Sequence, residues 1–175
     1  RQIDRPVRKV MIAGGGNVGV RVAHSISESL TLKIIDHNKV RCEKISNILG
    51  SKALVIHGDA TDEALLTEEN VADIDMFVAL TNDDENNIMS ALLAKRLGAK
   101  RVMSLINRKA YAELVEGGNI DITITPSHAT VGELLKYIRR GDIEAVHSLK
   151  RGAAEALEII VHGDRTTSKV IGRMV

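Results

Sequence analysis

The sequence is poor in residue types on which several classes of protein depend. Its 175 residues include one cysteine, no tryptophan, one phenylalanine and two tyrosines. A single cysteine excludes an internal disulfide, and no cysteine and histidine residues stand at the spacing of metal ligands. With so few aromatic rings, the chain lacks the stacking surfaces on which single-stranded nucleic acids bind. We therefore expect no disulfide, no metal site and no nucleic-acid partner.

An excess of charge and long apolar runs are also missing. The chain has 24 basic and 23 acidic residues and a formal net charge of +1. It therefore lacks the positive excess that binds nucleic acids or anionic membranes. No apolar run approaches the roughly 18 residues of a membrane-spanning helix. The chain begins at Arg1 rather than at a methionine. We expect a cytoplasmic protein and a piece of a longer chain.

Short β-branched apolar runs alternate with segments of helical period through most of the sequence. The runs cover residues 9–13, 31–36, 53–56, 75–80, 101–106 and 121–125. This alternation is typical of repeated βα units around a parallel sheet. Because the runs are almost entirely apolar, we expect strands that are covered on both faces.

The intervening helices carry apolar side chains at the spacing of one buried face. These positions are Val18, Val22 and Ile26 in the first helix, Cys42, Ile45, Ile48 and Leu49 in the second, and Ile88, Met89, Leu92 and Leu93 in the fourth. We expect each set to pack on the sheet. Cys42 falls within its set, so we interpret it as a core residue without a chemical role.

Residues 14–19, GGGNVG, fit the pattern G-x-G-x-x-G between a predicted strand and a predicted helix. In this pattern Gly14 permits a tight turn, Gly16 lets the backbone approach a pyrophosphate, and Gly19 lets the helix pack on the strand. The helix N-terminus adds amide donors and a positive dipole. The sequence thus predicts an α/β protein with a Rossmann-like, doubly wound, parallel six-stranded sheet.

Asp36 ends the second run, at the distance where this fold places an acid that accepts hydrogen bonds from the adenosine ribose. A 2′-phosphate there would meet a like charge, and the following residues, His37, Asn38 and Lys39, include no arginine. We therefore expect NAD or NADH as the ligand, or an adenine mononucleotide such as ATP, ADP or AMP, in preference to NADP.

Two polar segments follow the third and fourth runs. They are residues 57–62, HGDATD, and residues 81–87, TNDDENN. Ligands of open α/β sheets bind at the carboxyl ends of the strands, where both segments lie. We expect Thr81 and Asn82 to border the ligand. The acidic residues 83–85 suit the positive end of the following helix, and we expect Asp83 and Asp84 to be structural.

After Pro126 the sequence changes to an amphipathic segment that predicts a crossover helix. Its apolar positions are Val131, Leu134, Leu135 and Ile138. Residues 143–149 and 155–161 then have the pattern of two antiparallel strands. We expect a nucleotide-binding domain over residues 1–140 and the start of a small α+β C-terminal subdomain, cut short, over residues 141–175.

Several motifs occur in a fixed order: GGGNVG at 14–19, Asp36 at a strand end, HGDATD at 57–62, ALTNDDENNI at 79–88, TITPS at 123–127 and HSLKRGAAEALEI at 147–159. This ordered set resembles the RCK or KTN nucleotide-binding domains of the cytosolic regulatory subunit of bacterial Trk-type potassium-uptake systems. Such subunits carry two tandem copies, and the chain is similar to the second.

The resemblance implies a role for each part of the site. Gly14, Gly15, Gly16, Asn17 and Val18 would hold the pyrophosphate next to Gly19, Asp36 would hold the adenosine ribose, Asp59 and Ala60 would lie by the adenine, and Thr81 and Asn82 would border the central crevice. Some family members have an arginine in the fifth strand where this chain has Ser104. The identity of the ligand therefore stays open.

The resemblance also implies a regulatory role without catalysis. The chain would sense a nucleotide and control a membrane potassium transporter by a conformational change, as a dimer that forms rings in the full-length protein, on the inner face of the cell membrane. Two alternatives are an NAD-dependent oxidoreductase domain and a redox-sensing regulator. The first is disfavoured because neither Tyr111 nor Tyr137 has a lysine four positions on as an acid–base partner. The second would need an attached DNA-binding domain.

Overall fold

A computed structural model of the chain describes residues 6–126, 130, 143–149 and 154–159. The chain divides into two compact units, Arg1–Thr125 and Pro126–Val175. The predicted crossover helix lies outside the described residues, apart from Pro126 and Thr130.

The first unit contains a six-stranded, all-parallel sheet. Its strands are β1 (Lys9–Ala13), β2 (Thr31–Asp36), β3 (Leu54–His57), β4 (Met76–Ala79), β5 (Arg101–Leu105) and β6 (Ile122–Ile124). They lie in the order β3-β2-β1-β4-β5-β6. This is the predicted doubly wound topology. Because the chain winds outward from β1 and then returns to its other side, a crevice opens between the carboxyl ends of β1 and β4.

Helices connect successive strands. They are α1 (Asn17–Ile26), α2 (Lys39–Leu49), α3 (Glu63–Glu68), α4 (Asp84–Arg96) and α5 (Lys109–Val115), with short 3₁₀ turns at Gly50–Lys52 and Val71–Asp73. Side chains cap three of them. Asn38 accepts from the Arg41 N–H at α2, Asp62 from the Ala64 N–H at α3, and Asp83 from the Asn86 N–H at α4. These caps satisfy amides that the helices leave without intrahelical partners.

The core forms one apolar layer on each face of the sheet. Met11, Phe77 and Val102 belong to one layer, whereas Ile12 and Ile34 belong to the other. All five are almost completely buried. Successive residues of a strand point to opposite faces, so a strand covered on both sides contributes to both layers. The central strands therefore match the prediction from their apolar composition.

Three predicted core residues, Val18, Ile48 and Met89, are in fact on the surface. Ile48 is 61% exposed and Met89 is 58% exposed. In α4 the buried face is built from small and polar residues, among them Asn87, Ser90 and Ala91, because these let the helix lie close to the sheet. The large apolar side chains had instead been predicted to form this buried face. Val18 is also half exposed, at the first turn of α1.

The outermost strands also differ from the prediction. Leu54 in β3 is exposed, and neither β3 nor β6 has a fully buried residue. Both strands lie at an edge of the sheet, so helices cover them only in part. Their apolar composition alone did not distinguish an edge strand from a central one.

In the second unit, β7 (Ile143–Leu149) pairs antiparallel with β8 (Ala154–Ile159), as the sequence predicts. The register runs from Ile143 opposite Ile159 to Leu149 opposite Ala154, with an irregularity between Ile143 and Ala145.

Candidate functional site

Two adjoining crevices lie at the carboxyl ends of the central strands. The first, which we call the β3-side crevice, has a volume of about 310 Å³ and extends to Gly58 and Asp59. The second, the glycine-loop crevice, has a volume of about 480 Å³ and extends over Gly16 and Asn17. Volumes of this order are typical of sites for small molecules.

Nine of the eleven predicted site residues line these crevices. They are Gly14, Gly16, Asn17, Val18, Asp36, Asp59, Ala60, Thr81 and Asn82. The other two, Gly15 and Gly19, are buried within the glycine loop, and a Cβ at either position would meet the protein itself. The structure therefore brings residues from the ends of four strands into one continuous region.

The glycine loop needs glycine at two positions for different reasons. Gly14 has a φ of +105°, which favours glycine, and a Cβ there would lie 2.9 Å from the backbone of Leu80 and Thr81. At Gly19 a Cβ would lie 1.9 Å from the carbonyl oxygen of Gly14. A Cβ at Gly16, in contrast, would have nothing within 4 Å. The space next to Gly16 is thus open to a ligand.

The N-terminus of α1 lacks the caps found on its neighbours. Its N-cap residue is Gly16, which provides no side-chain hydrogen bond, and the first turn contains no acidic residue. In α2, α3 and α4, an asparagine or aspartate side chain accepts from backbone N–H groups of the first turn of the helix. The amides and the positive dipole end of α1 are therefore suited to an anion, such as a phosphate.

Asp36 is the buried acid of the site, with 3% of its surface exposed. Its Oδ2 accepts from the Gly15 N–H at 2.7 Å, and its Oδ1 accepts from the Asn38 N–H at 2.8 Å. Burial alone would raise the pKa of Asp36, but the hydrogen bonds from Asn38, Gly15 and Arg41 outweigh it and hold the pKa below its ordinary value. The side chain is therefore a carboxylate, which accepts hydrogen bonds.

Arg41 was not among the predicted site residues, because only the three residues after Asp36 were predicted to bear on a 2′-phosphate. Arg41, in the first turn of α2, places its Nη1 2.9 Å from Oδ2 of Asp36. Repulsion between Asp36 and a 2′-phosphate is therefore weaker than predicted, because a positive charge is paired with the acid. The position of Arg41 in the sequence could have indicated this contact, since the first turn of a helix that follows a strand lies next to that strand's carboxyl end.

The β3-side crevice is bordered by the segment that the sequence places by the adenine. Asp59 accepts from both the N–H and the hydroxyl of Thr61, each at 2.8 Å, and these bonds lower the pKa of Asp59. Ala60 lies between them, and His37 lines the same crevice. His37 and Thr61 were not among the predicted site residues.

On the opposite side, Thr81 is fixed by a buried asparagine of α4. The Thr81 N–H and hydroxyl both donate to Oδ1 of Asn87, at 2.8 and 2.7 Å. The Asn87 side-chain amide in turn donates to the carbonyl oxygens of Thr81 and Leu105. Asn87 therefore ties the ends of β4 and β5 together, a role that the sequence did not indicate.

Ser104 lies in β5, between β4 and β6 of the sheet. It is fully buried in β5 and pairs with Ala79 of β4 and Thr123 of β6. It lines neither crevice. Its hydroxyl has no hydrogen-bond partner in the part of the chain that the structure describes.

Comparison with known families identifies the domain. Residues 10–126 match the TrkA-N domain. The chain belongs to the TrkA-N family. A relative in Halomonas elongata, named Trk system potassium uptake protein TrkA, is 55% identical over all 175 residues. One of the same name in Vibrio alginolyticus is 51% identical over the same length. The chain covers 38% of each, so it spans well under half the length of these relatives.

Solved structures share the fold of this TrkA-N domain at low sequence identity. The GsuK channel bound to NAD has a TM-score of 0.63 at 18% identity, covering 83% of this chain and 26% of that one. The Kef C-terminal domain of Shewanella denitrificans in its AMP-bound form has a TM-score of 0.58 at 20% identity, covering 74% and 80%.

The described part of the TrkA-N chain contains neither a cluster of metal-ligating side chains nor a helix that could span a membrane. Within residues 6–126 and the two later strands, no three histidine, cysteine, aspartate or glutamate side chains are grouped so that they could hold a metal ion. No described helix is both long enough and apolar enough to cross a membrane.

Proposed function

We propose that this chain is the nucleotide-sensing part of a regulatory subunit of a potassium-uptake transporter, and that it binds NAD, NADH or an adenine nucleotide. The observation that carries this proposal is that an uncapped helix N-terminus and a buried carboxylate border the same crevice. The first suits a phosphate and the second suits a ribose. Together they fit the adenosine diphosphate half that NAD and ADP share.

In this proposal each predicted residue has a defined role. The α1 amides from Asn17 onward and the open space at Gly16 receive the phosphates, while Gly15 positions Asp36 through its N–H. Asp36 accepts the ribose hydroxyls. Asp59 and Ala60 lie along the adenine.

Thr81 and Asn82 border the part of the ligand beyond the phosphates. In NAD this part is the nicotinamide nucleotide, and in ATP it is the terminal phosphate. The end of the crevice at Thr81 and Asn82 is therefore where such ligands would be distinguished. Structural neighbours are consistent with either class, since one is described as bound to NAD and another as bound to AMP.

The potassium-transport role is supported by the relatives' names, which designate Trk system potassium uptake proteins. A sensor of this kind acts when its ligand has different affinities for two conformations, and couplings of about 1–3 kcal/mol are typical. The partner would be the membrane transporter subunit, with this chain on its cytoplasmic side. No substrate is converted.

We also propose that the protein assembles as a dimer and, at full length, as a ring. The support is the apolar stripe formed in the sequence by Val131, Leu134, Leu135 and Ile138, because an apolar stripe left uncovered usually marks an interface. Sedimentation of the chain at tens of micromolar should show a dimer, a state that interfaces of ordinary size maintain. A monomer there would exclude this assembly.

Calorimetric titration of the purified chain with NAD, NADH, ATP and ADP tests the nucleotide proposal. At least one should bind, and Asp36→Ala should weaken it by roughly tenfold or more, as expected for losing hydrogen bonds to a charged acceptor. Glu43→Ala, an exposed acid on α2, serves as the control. Failure of all four nucleotides to bind would exclude the proposed function.

The oxidoreductase alternative makes an opposite prediction. NADH mixed with the protein and a panel of carbonyl compounds should keep its absorbance at the uncatalysed rate. Oxidation that depends on the carbonyl compound and scales with protein concentration would favour the enzyme instead.

A further inference from the structure

Asp36 receives hydrogen bonds on both of its carboxylate oxygens. Gly15 donates its backbone N–H to Oδ2, and Asn38 donates its backbone N–H to Oδ1. Nη1 of Arg41 faces both oxygens, at 2.9 Å from Oδ2 and 3.3 Å from Oδ1. A ribose that donates two hydroxyl groups to Asp36 therefore competes with the guanidinium for the same side of the carboxylate.

The two kinds of donor are not equally replaceable. The amides of Gly15 and Asn38 belong to the glycine loop and to the start of α2, so they stay in place when a ligand binds. The Arg41 side chain is 43% exposed, whereas that of Asp36 is 1% exposed. The guanidinium can therefore move toward solvent while the carboxylate keeps its two backbone donors, and Arg41 also lines the glycine-loop crevice.

We propose that Arg41 is an exchangeable partner of Asp36 that determines which adenosine ribose the site accepts. The inference rests on the proposed function. A ribose with free 2′- and 3′-hydroxyls takes the two acceptor positions that Arg41 occupies, and the guanidinium moves away from the carboxylate. A ribose with a 2′-phosphate instead finds the guanidinium next to it as a counter-ion. Arg41 therefore competes with NAD and compensates the charge of NADP.

This exchange gives opposite expectations for the two ligands when Arg41 is removed. Without the guanidinium, NAD has no competitor at Asp36, so its dissociation constant should fall. NADP then meets the uncompensated charge of Asp36, so its dissociation constant should rise. A purely structural role for Arg41 would shift both constants in the same direction. The ratio of the two constants is thus the decisive measurement.

The test is calorimetric titration of the wild-type chain, Arg41→Ala and Lys44→Ala with NAD and with NADP. Lys44 is an exposed lysine farther along α2, so its removal takes away the same charge without touching Asp36. The NADP-to-NAD ratio of dissociation constants should rise about tenfold or more in Arg41→Ala and stay within about twofold of wild type in Lys44→Ala.

An unchanged ratio in Arg41→Ala, or an equal change in Lys44→Ala, would overturn the inference while leaving the proposed function in place. Absence of binding of both NAD and NADP to the wild-type chain would overturn the inference, and the proposed function would fall with it only if NADH, ATP and ADP also fail to bind. Unfolding midpoints establish that each variant is folded. If Arg41→Ala is destabilised, Arg41→Gln removes the charge with less loss of side-chain volume and should give the same rise in the ratio.

Discussion

Two buried aspartates at the same edge of the sheet, Asp36 and Asp84, receive their hydrogen bonds from different kinds of donor. Asp36 is 3% exposed and Asp84 is 5% exposed. Asp84 accepts from the N–H of Arg108 and from the N–H and side-chain amide of Asn107, at 2.8 to 2.9 Å. Asp36 depends for half of its contacts on the side chain of Arg41.

In the proposed function, this difference explains why Asp36 and not Asp84 is the ligand-binding acid. Two of the three hydrogen bonds to Asp84 come from backbone N–H groups of the loop after β5, so they cannot leave without breaking that loop. At Asp36 one donor is a half-exposed side chain, which a ribose replaces in the proposed exchange. Burial and a lowered pKa are common to both acids. In this proposal, it is the replaceability of the donors that separates a binding carboxylate from a structural one.

The first prediction is Gly19→Ala, in the glycine loop that contacts Asp36 through the Gly15 N–H. The added Cβ would lie 1.9 Å from the Gly14 carbonyl oxygen, and the backbone must shift. We expect a loss of about 3 kcal/mol in unfolding free energy, at the upper end for overpacking, measured by urea denaturation. Gly16→Ala is the matched control. Its Cβ has nothing within 4 Å, so it should lose under about 1 kcal/mol. Equal losses would show that the loop does not pack as described.

The second prediction concerns Asp84 and the loop after β5 that donates to it. Asp84→Ala leaves the N–H groups of Asn107 and Arg108 without their acceptor, so we expect a loss of about 2 kcal/mol in unfolding free energy. The affinity of the Asp84→Ala variant for nucleotides should change little. Glu85→Ala is the control, because the Glu85 side chain is 54% exposed in its ion pair with Arg108. Glu85→Ala should lower the unfolding free energy by about 0.5 kcal/mol or less. A nucleotide affinity that falls as far as in Asp36→Ala would contradict the division between the two acids.

The third prediction uses pH to isolate the same acid. Burial alone would raise the pKa of Asp84, but the N–H groups of Asn107 and Arg108 outweigh it, and the pKa lies below its ordinary value of 3.8. Such a group contributes stability above its unfolded pKa and loses it as pH falls toward its folded pKa. Between about pH 6 and pH 3, the stability difference between wild type and Asp84→Ala should therefore narrow. A constant difference in urea denaturation would mean that the pKa of Asp84 is the same in the folded and unfolded states.

Much of this architecture could be predicted because its signals are local. The glycine loop lies within six consecutive residues, and Asp36 ends an apolar run. The strand order follows from alternating βα units. For these features the chain's own spacing defines the geometry.

Other features depend on contacts that spacing does not define. Arg41 was missed because its importance depends on how the first turn of α2 lies against the end of β2. Asn87 was missed because it binds the ends of two strands that are distant in sequence. Met89 was misplaced because close packing of α4 favours small residues over large apolar ones.

The smallest expected effect belongs to Ser104→Ala, in β5, the strand whose following loop donates hydrogen bonds to Asp84. Its buried hydroxyl has no partner among the described residues, and an unpaired buried polar group costs free energy. Ser104→Ala should therefore raise the unfolding free energy, by up to about 1 kcal/mol. Ser90→Ala is the matched control. The Ser90 hydroxyl is equally buried but donates to the Asn87 carbonyl oxygen, so its removal should lower stability by about 1 kcal/mol. If Ser104→Ala were the more destabilising of the two, the Ser104 hydroxyl would have a hydrogen-bond partner, and the prediction would be wrong.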